Sequence, residues 1–251
     1  MSQNHKITLM YNGARYGGWQ IQKNAITVQE EVEKAFSTIL RQPISVIGAS
    51  RTDAGVHALN YVGNAFFDTD YEMTRILSGV NAVLPEDIRV KAIEPVPEDF
   101  HARYCAKSKT YVYQIDTSCY GDVFKKPYVW RFQYPLDIES MLECPKYFLG
   151  RHDFSAFMSK GGQAKTFERE IYDCTLTKDN DTLIMKIRGN GFLYNMVRII
   201  AGTMVSVGRG FIRHEELPEI ILSKERGRAG ITAPPEGLML YEIEYEDALK
   251  G

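Results

Sequence analysis

Cysteine is scarce in this chain, with four residues (Cys105, Cys119, Cys144 and Cys174) among 251. They are scattered, form no C-x-x-C pair and have no neighbouring histidines at ligand spacing, which argues against a disulfide framework or a zinc site. Free thiols in a reducing cytoplasm are the reading that remains. Long hydrophobic runs are also missing: the longest, Phe192 to Val207, is interrupted by Asn195 and Arg198 and falls short of a membrane span. Met1 to Asn12 is polar and lacks the apolar core of a signal peptide. There is no P-loop and no G-x-G-x-x-G cradle, so no nucleotide cofactor is expected. His57, His101 and His152 sit in separate segments without ligand spacing, so no metal is expected either.

A basic excess is absent too. The formal net charge is −2, without the overall basic excess expected of a nucleic-acid binder. The charge is unevenly placed, however. Residues 236–251 carry Glu236, Glu242, Glu244, Glu246 and Asp247 against Lys250, whereas Arg103, Lys107, Lys109, Lys125, Lys126 and Arg131 share their stretch with Asp116 and Asp122 alone. A local basic surface can steer a polyanion even when the total is slightly acidic.

What is present is a clear alternation of strand and helix signals. Ile7, Leu9 and Tyr11 alternate with polar residues as in a half-buried strand. Thr27-x-x-Glu30 is a capping box, followed at helical spacing by Val28, Val32, Ala35, Phe36, Ile39 and Leu40. Strands are predicted at 44–47, 61–67 and 88–93, with a second capping box, Thr69-x-x-Glu72, opening a helix that Pro85 ends. This is a β-α-β-β-α-β order. The second half reads in much the same way: a strand over 109–116, a helix near 137–149, strands over 171–177 and 182–188, a long helix over 192–207, a helix near 215–223 and a last strand over 238–245. The expected class is α+β: two similar β-α-β-β-α-β halves of the RRM or ferredoxin-like kind, residues 1–107 and 108–251, with antiparallel sheets and a cleft between them.

Three features could carry chemistry. The segment Ala49-Ser50-Arg51-Thr52-Asp53-Ala54-Gly55-Val56-His57-Ala58 follows a strand and is bracketed by Gly48 and Gly55. A carboxylate on such a loop, two residues after an arginine, can be kept ionised and act as a nucleophile. An Asp that braces its own turn accounts for the same residues. Arg198 is the one charge on a helix apolar almost all round; it either snorkels along its stem or pairs with a buried carboxylate, for which Asp53 is the candidate. Tyr111 and Tyr113 share one strand face near Lys109, suited to stacking on an extruded base or to filling a core. Gly17-Gly18-Trp19-Gln20 fits either a close approach to a backbone or a turn anchored by a buried Trp.

These segments closely resemble the TruA family of tRNA pseudouridine synthases over nearly the whole chain. Tyr11-Asn12-Gly13 with Tyr16-x-Gly18-Trp19-Gln20 is similar to the family's opening motif, and Thr27-Val28-Gln29 to the start of its first helix. Arg51-Thr52-Asp53-Ala54-Gly55-Val56-His57-Ala58 resembles its signature loop. Asn81 with Leu84-Pro85, Phe100-His101-Ala102-Arg103, Lys109-x-Tyr111-x-Tyr113, Gly150-x-His152-Asp153-Phe154, Gly189-Asn190-x-Phe192-Leu193 and Met196-Val197-Arg198 follow in order. Ser50 departs from the Gly common in bacterial members, which bears on substrate range.

The resemblance implies an enzyme that isomerises uridine in the anticodon stem-loop, at tRNA positions 38 to 40. Asp53 would be the nucleophile, Arg198 its salt-bridge partner, Tyr111 the contact to the target nucleoside and Arg51 a substrate-binding residue. It also implies a cytoplasmic homodimer with tRNA as partner, and neither cofactor nor metal. His57, His101 and His152 then take structural or RNA-contacting roles. The competing classes are a non-catalytic RNA-binding module, a divergent pseudouridine synthase acting at other RNA sites, and a glycoside-processing enzyme, which normally needs a second carboxylate that Asp53 lacks in sequence.

Overall fold

The structure, a computed structural model, describes residues 2–162 and 164–246. The protein is α+β and divides into two compact units: Met1–Lys107 with Leu240–Gly251, and Ser108–Met239.

In the first unit the strands are β1 (Gln3–Tyr11), β2 (Ile47–Gly48), β3 (His57–Phe67) and β4 (Ile88–Pro95), and the helices α1 (Val28–Leu40) and α2 (Met73–Val83). The central path runs β4-β1-β3, with β2 against β3, and each of these pairs is antiparallel. Alternation along β1 does what its sequence predicts: Ile7, Leu9 and Tyr11 are buried while Met10 is exposed. Helix α1 starts where the Thr27 hydroxyl accepts from the Glu30 amide at 3.4 Å, and it ends at Arg41, whose left-handed φ of 54° stops propagation. Of the stripe read from the sequence it buries Val28, Val32, Ala35, Phe36 and Leu40, while Ile39 is half-buried. The second expected capping box does not form. The Thr69 hydroxyl takes the Tyr71 amide instead, a local turn that competes with the cap, and α2 begins at Met73 without a side-chain cap. The strand expected over 44–47 shrinks to two residues.

In the second unit the strand order is β5-β9-β8-β7, from β5 (Ser108–Asp116), β9 (Thr182–Gly189), β8 (Glu168–Asp179) and β7 (Gly150–Asp153). These pairs are antiparallel. The expectation of wholly antiparallel sheets is corrected by β6 (Trp130–Arg131), which pairs in parallel with the end of β5. Two residues are too few to leave a periodic signal, and β7, with four, was missed because it too is short. Helix α3 (Ile138–Leu142) is shorter than expected because Pro145 cannot donate a helical hydrogen bond, and the chain goes on as a 3-10 turn over Pro145–Phe148. Helix α4 (Met196–Gly208) starts four residues later than expected, since Asn195 sits at φ 61° and a left-handed residue cannot belong to the helix. Every α4 residue except Arg198 is buried. Helix α5 (Leu217–Ser223) follows; the last strand, β10 (Leu238–Glu244), belongs from Leu240 onward to the first unit, where it stands next to β3. Among the described residues no helix is long and apolar enough to cross a membrane.

Candidate active site

Backbone hydrogen bonds clasp the Asp53 loop. The Trp19 amide donates to Thr52 O at 3.1 Å, the Gly55 amide to Tyr16 O at 3.3 Å and the Val56 amide to Asp53 O at 3.1 Å. Such a grip needs the two chains to lie closer than side chains permit. A Cβ at Gly18 would stand 2.5 Å from Thr52 O, and at Gly13 1.9 Å from Val56 O. Gly18 also has φ +99°, a conformation that costs other residues dearly.

The clasp is itself anchored. Trp19 is buried, with its ring stacked on Tyr61 at 4.0 Å, and the Tyr61 hydroxyl donates to Ser50 O at 2.5 Å. Gln29, at the start of α1, uses its amide fully: Nε2 donates to Val46 O and Glu33, while Oε1 accepts from Gln20 Nε2 and the Ile21 amide. Tyr11 Oη and Thr52 Oγ1 lie 2.7 Å apart, and the Gly13 amide donates to Nδ1 of buried His57. The Tyr16 hydroxyl donates to Asp87 at 2.5 Å, and burial, reinforced by that bond, pushes its pKa up to about 12. The outcome is a half-buried Asp53 beside an exposed Arg51 on a rigid loop.

The second unit presents Arg198 differently. Its Nε donates to Ala233 O at 2.7 Å and its Nη1 to Asn195 Oδ1 at 2.9 Å, while the Ala233 amide returns a bond to Arg198 O. Asn195 is fixed in turn by Nδ2 to the Ser159 hydroxyl. Tyr113, fully buried, donates to Pro234 O at 2.7 Å, so Arg198 and Tyr113 grip neighbouring carbonyls. Burial pushes the Tyr113 pKa up, with the Arg198 charge acting the other way. Tyr111 is buried too, and Phe192 meets its ring edge-on at 5.1 Å.

The sequence-predicted residues thus fall into two sets. Asp53 and Arg51 share a loop of the first unit, and Tyr111 and Arg198 lie in the second. The basic stretch is divided likewise: Arg103 and Lys107 belong to the first unit and Lys107 pairs with Glu246, whereas Lys125, Lys126 and Arg131 are exposed in the second. Of the acidic terminal stretch, Asp247 and Lys250 lie outside the described residues.

Comparison with known proteins shows that the model of a family described as tRNA pseudouridine synthase matches residues 7–105 and 145–246. The chain belongs to this family. A "tRNA pseudouridine synthase A" of Thermoanaerobacter sp. (strain X514) is 45% identical over 243 residues, 97% of this chain and all of the relative. One from Acetivibrio thermocellus is 46% identical over the same shares, and a "tRNA pseudouridine synthase A 2" of Clostridium perfringens is 41% identical over them. A solved Cbf5-Nop10-Gar1 complex overlaps 96% of this chain and 50% of its own at 13% identity, with a TM-score of 0.37, too loose to carry an argument.

Set against family membership, the opening motif gains a physical meaning in this chain: Gly13, Gly18 and Trp19 are the parts that clasp the Asp53 loop. Sequence reasoning missed Thr52, Tyr61 and Gln29 as supports, and Asn195 and Ala233 as partners of Arg198. Asn195 had a signal, because asparagine tolerates the left-handed conformation better than most residues. Ala233 had none, since it contributes only backbone.

Proposed function

We propose that this protein isomerises uridine to pseudouridine in the anticodon stem-loop of tRNA, at positions 38 to 40, with Asp53 as the nucleophile. The observation that carries this reading is the near-full-length similarity to proteins named tRNA pseudouridine synthase A, with the Arg51-Thr52-Asp53 loop in place. The reaction breaks the N1–C1′ glycosidic bond and rejoins the same ring through C5, so no atom is added. The base must leave its stack, which costs a few kcal/mol and is partly offset by stacking in the enzyme. In this proposal Tyr111 contacts the target nucleoside and Asp53 acts at the ribose. Arg198 is the cation that keeps Asp53 ionised and oriented, and Arg51 binds substrate phosphate. Supporting these roles, Asp53 sits half-buried on a loop that its neighbours hold rigid, and Arg198 is tied at two of its nitrogens. A duplicated β-α-β-β-α-β plan with a cleft for tRNA, and a homodimer, belong to the same proposal.

The test is uridine conversion in unmodified tRNA, mapped chemically, for wild type and Asp53→Asn. Conversion in the anticodon arm by wild type alone, with the variant still binding tRNA, is expected. Conversion by Asp53→Asn would remove Asp53 from its role. Binding without conversion by either protein would favour a non-catalytic RNA-binding module.

A further inference from the structure

The segment that follows α5 contains an arginine to which no role has been assigned. Arg226 forks across the turn that comes after it: Nη1 donates to Gly230 O at 2.9 Å and to Ala229 O at 3.4 Å, and Nη2 to the Thr232 hydroxyl at 3.1 Å. That turn is pressed onto α4 at the buried residues Gly202, Thr203 and Ser206. The Gly230 amide donates to Thr203 Oγ1 at 2.9 Å. A Cβ at Gly230 would stand 2.6 Å from Gly202 O, and one at Gly202 would stand 2.0 Å from Ile231 O. The turn ends at Ala233, whose carbonyl takes Arg198 Nε and whose amide donates back to Arg198 O, and at Pro234, whose carbonyl takes the Tyr113 hydroxyl.

We infer that Arg226 is a positioning residue for the isomerisation: by closing the 229–232 turn it fixes the Ala233 carbonyl, and through it the direction of the Arg198 guanidinium. The inference rests on the role proposed for Arg198. The physical reason is geometric. A planar guanidinium with several donors can hold acceptors on both sides of a turn at once, and an ammonium cannot. The Ala229 and Gly230 carbonyls and the Thr232 hydroxyl all accept from this one guanidinium, so removing it loosens the turn at three points together. A small rotation of the Ala233 carbonyl would then be passed directly to Arg198, and misplacement on the ångström scale is enough to slow a reaction strongly.

Single-turnover conversion of uridine, with enzyme in excess over tRNA, tests this together with tRNA affinity and thermal midpoint. Arg226→Ala is expected to slow the chemical step by about 10- to 100-fold while tRNA affinity is unchanged, and Arg226→Lys is expected to recover little of it. On an Arg198→Lys background, Arg226→Ala should add almost nothing, because both changes act through one guanidinium. A loss of stability alone would not produce that non-additivity. Where Arg226→Ala melts below the assay temperature, Thr232→Val removes one acceptor and should slow the same step to a smaller degree. A wild-type rate in the folded variant, fully additive losses, or weakened tRNA binding in place of a slower step would each overturn the inference. If Arg198→Lys itself converts uridine like wild type, the reading of Arg198 fails and this inference goes with it. If Arg198→Lys is slow and the Arg226 and Thr232 variants are not, the inference alone is overturned.

Discussion

The loop that carries Asp53 and the helix start that carries Arg198 show two ways of holding in place the stretch of chain that bears a charged residue. Around Asp53 the work is done by main chain against main chain: Trp19 to Thr52, Tyr16 to Gly55, and glycines where the two strands of chain cross. Around Arg198 a buried helix fixes the Cα, and side chains and carbonyls then aim the guanidinium. The loop depends on the absence of Cβ atoms at a few points and on a small set of side-chain anchors such as Tyr61 and Tyr11. The helix depends on packing along its whole length. The same substitution, glycine to alanine, should therefore damage the two regions in different ways.

The largest effect is expected at Gly202, in the middle of α4. Alanine there gains up to about 1 kcal/mol of helix propensity, but its Cβ would stand 2.0 Å from Ile231 O, a backbone atom. Overpacking typically costs about 1–3 kcal/mol, and a backbone atom this close puts Gly202 at the upper end, so the clash wins and Gly202→Ala should lower the denaturation midpoint of the protein markedly. At Gly18 the Cβ would meet Thr52 O at 2.5 Å, and φ +99° adds strain of about 1–3 kcal/mol. Because a loop can yield locally, Gly18→Ala should spare most of the stability and cut uridine conversion by about 100-fold. Gly210→Ala is the control for strain alone, with φ +71° and nothing within 4 Å of its Cβ. Urea denaturation and single-turnover conversion on the three variants would break the comparison if Gly18→Ala unfolded the protein as Gly202→Ala does.

Much of this contrast was readable from the sequence, and the unread part has a physical pattern. The α4 helix announced itself through an apolar run with one arginine, and α1 through its cap and stripe, because periodic burial writes itself into residue type. The Asp53 loop was visible as a glycine-bounded acid, yet the residues alone favoured a turn-bracing Asp, and it is the family resemblance that pointed to a nucleophile. What escaped were contacts made by backbone atoms, such as Ala233 O to Arg198 and Thr52 O to Trp19, which leave no preference in side-chain chemistry. Short pairings escaped as well: β6 and β7 are too brief to show a period, and Thr69 was taken as a cap when its hydroxyl serves a turn.

Two tyrosines sharpen the comparison at smaller amplitude. Tyr61→Phe removes the hydroxyl that reaches Ser50 O, beside the Asp53 loop, and Tyr113→Phe the one that reaches Pro234 O, beside Arg198. Each leaves a carbonyl short of one donor while keeping the ring's packing, so each should cost about 1–2 kcal/mol. With stability losses alike, the conversion rates report how far each anchor governs its charged residue. Both rates should fall; equal stability losses with no change in rate would mean that neither anchor aims the chemistry.

The smallest effect expected is confined to alkaline pH and to one region. The Tyr16 hydroxyl, whose backbone carbonyl grips Gly55, has its pKa pushed up to about 12 by burial and by its bond to Asp87. In the unfolded chain a tyrosine ionises near pH 10. Between those two values the unfolded state sheds a proton that the folded state retains, so stability must fall as pH rises through that window and be unaffected below it. Tyr16→Phe removes this group from the balance. It should lower stability slightly at neutral pH, through the lost bond to Asp87, and make the decline from pH 10 upward shallower than in wild type. Urea midpoints at pH 8 and at pH 10.5 would check it: an alkaline decline as steep in Tyr16→Phe as in wild type would assign that decline to other groups and leave the Asp53 clasp indifferent to pH.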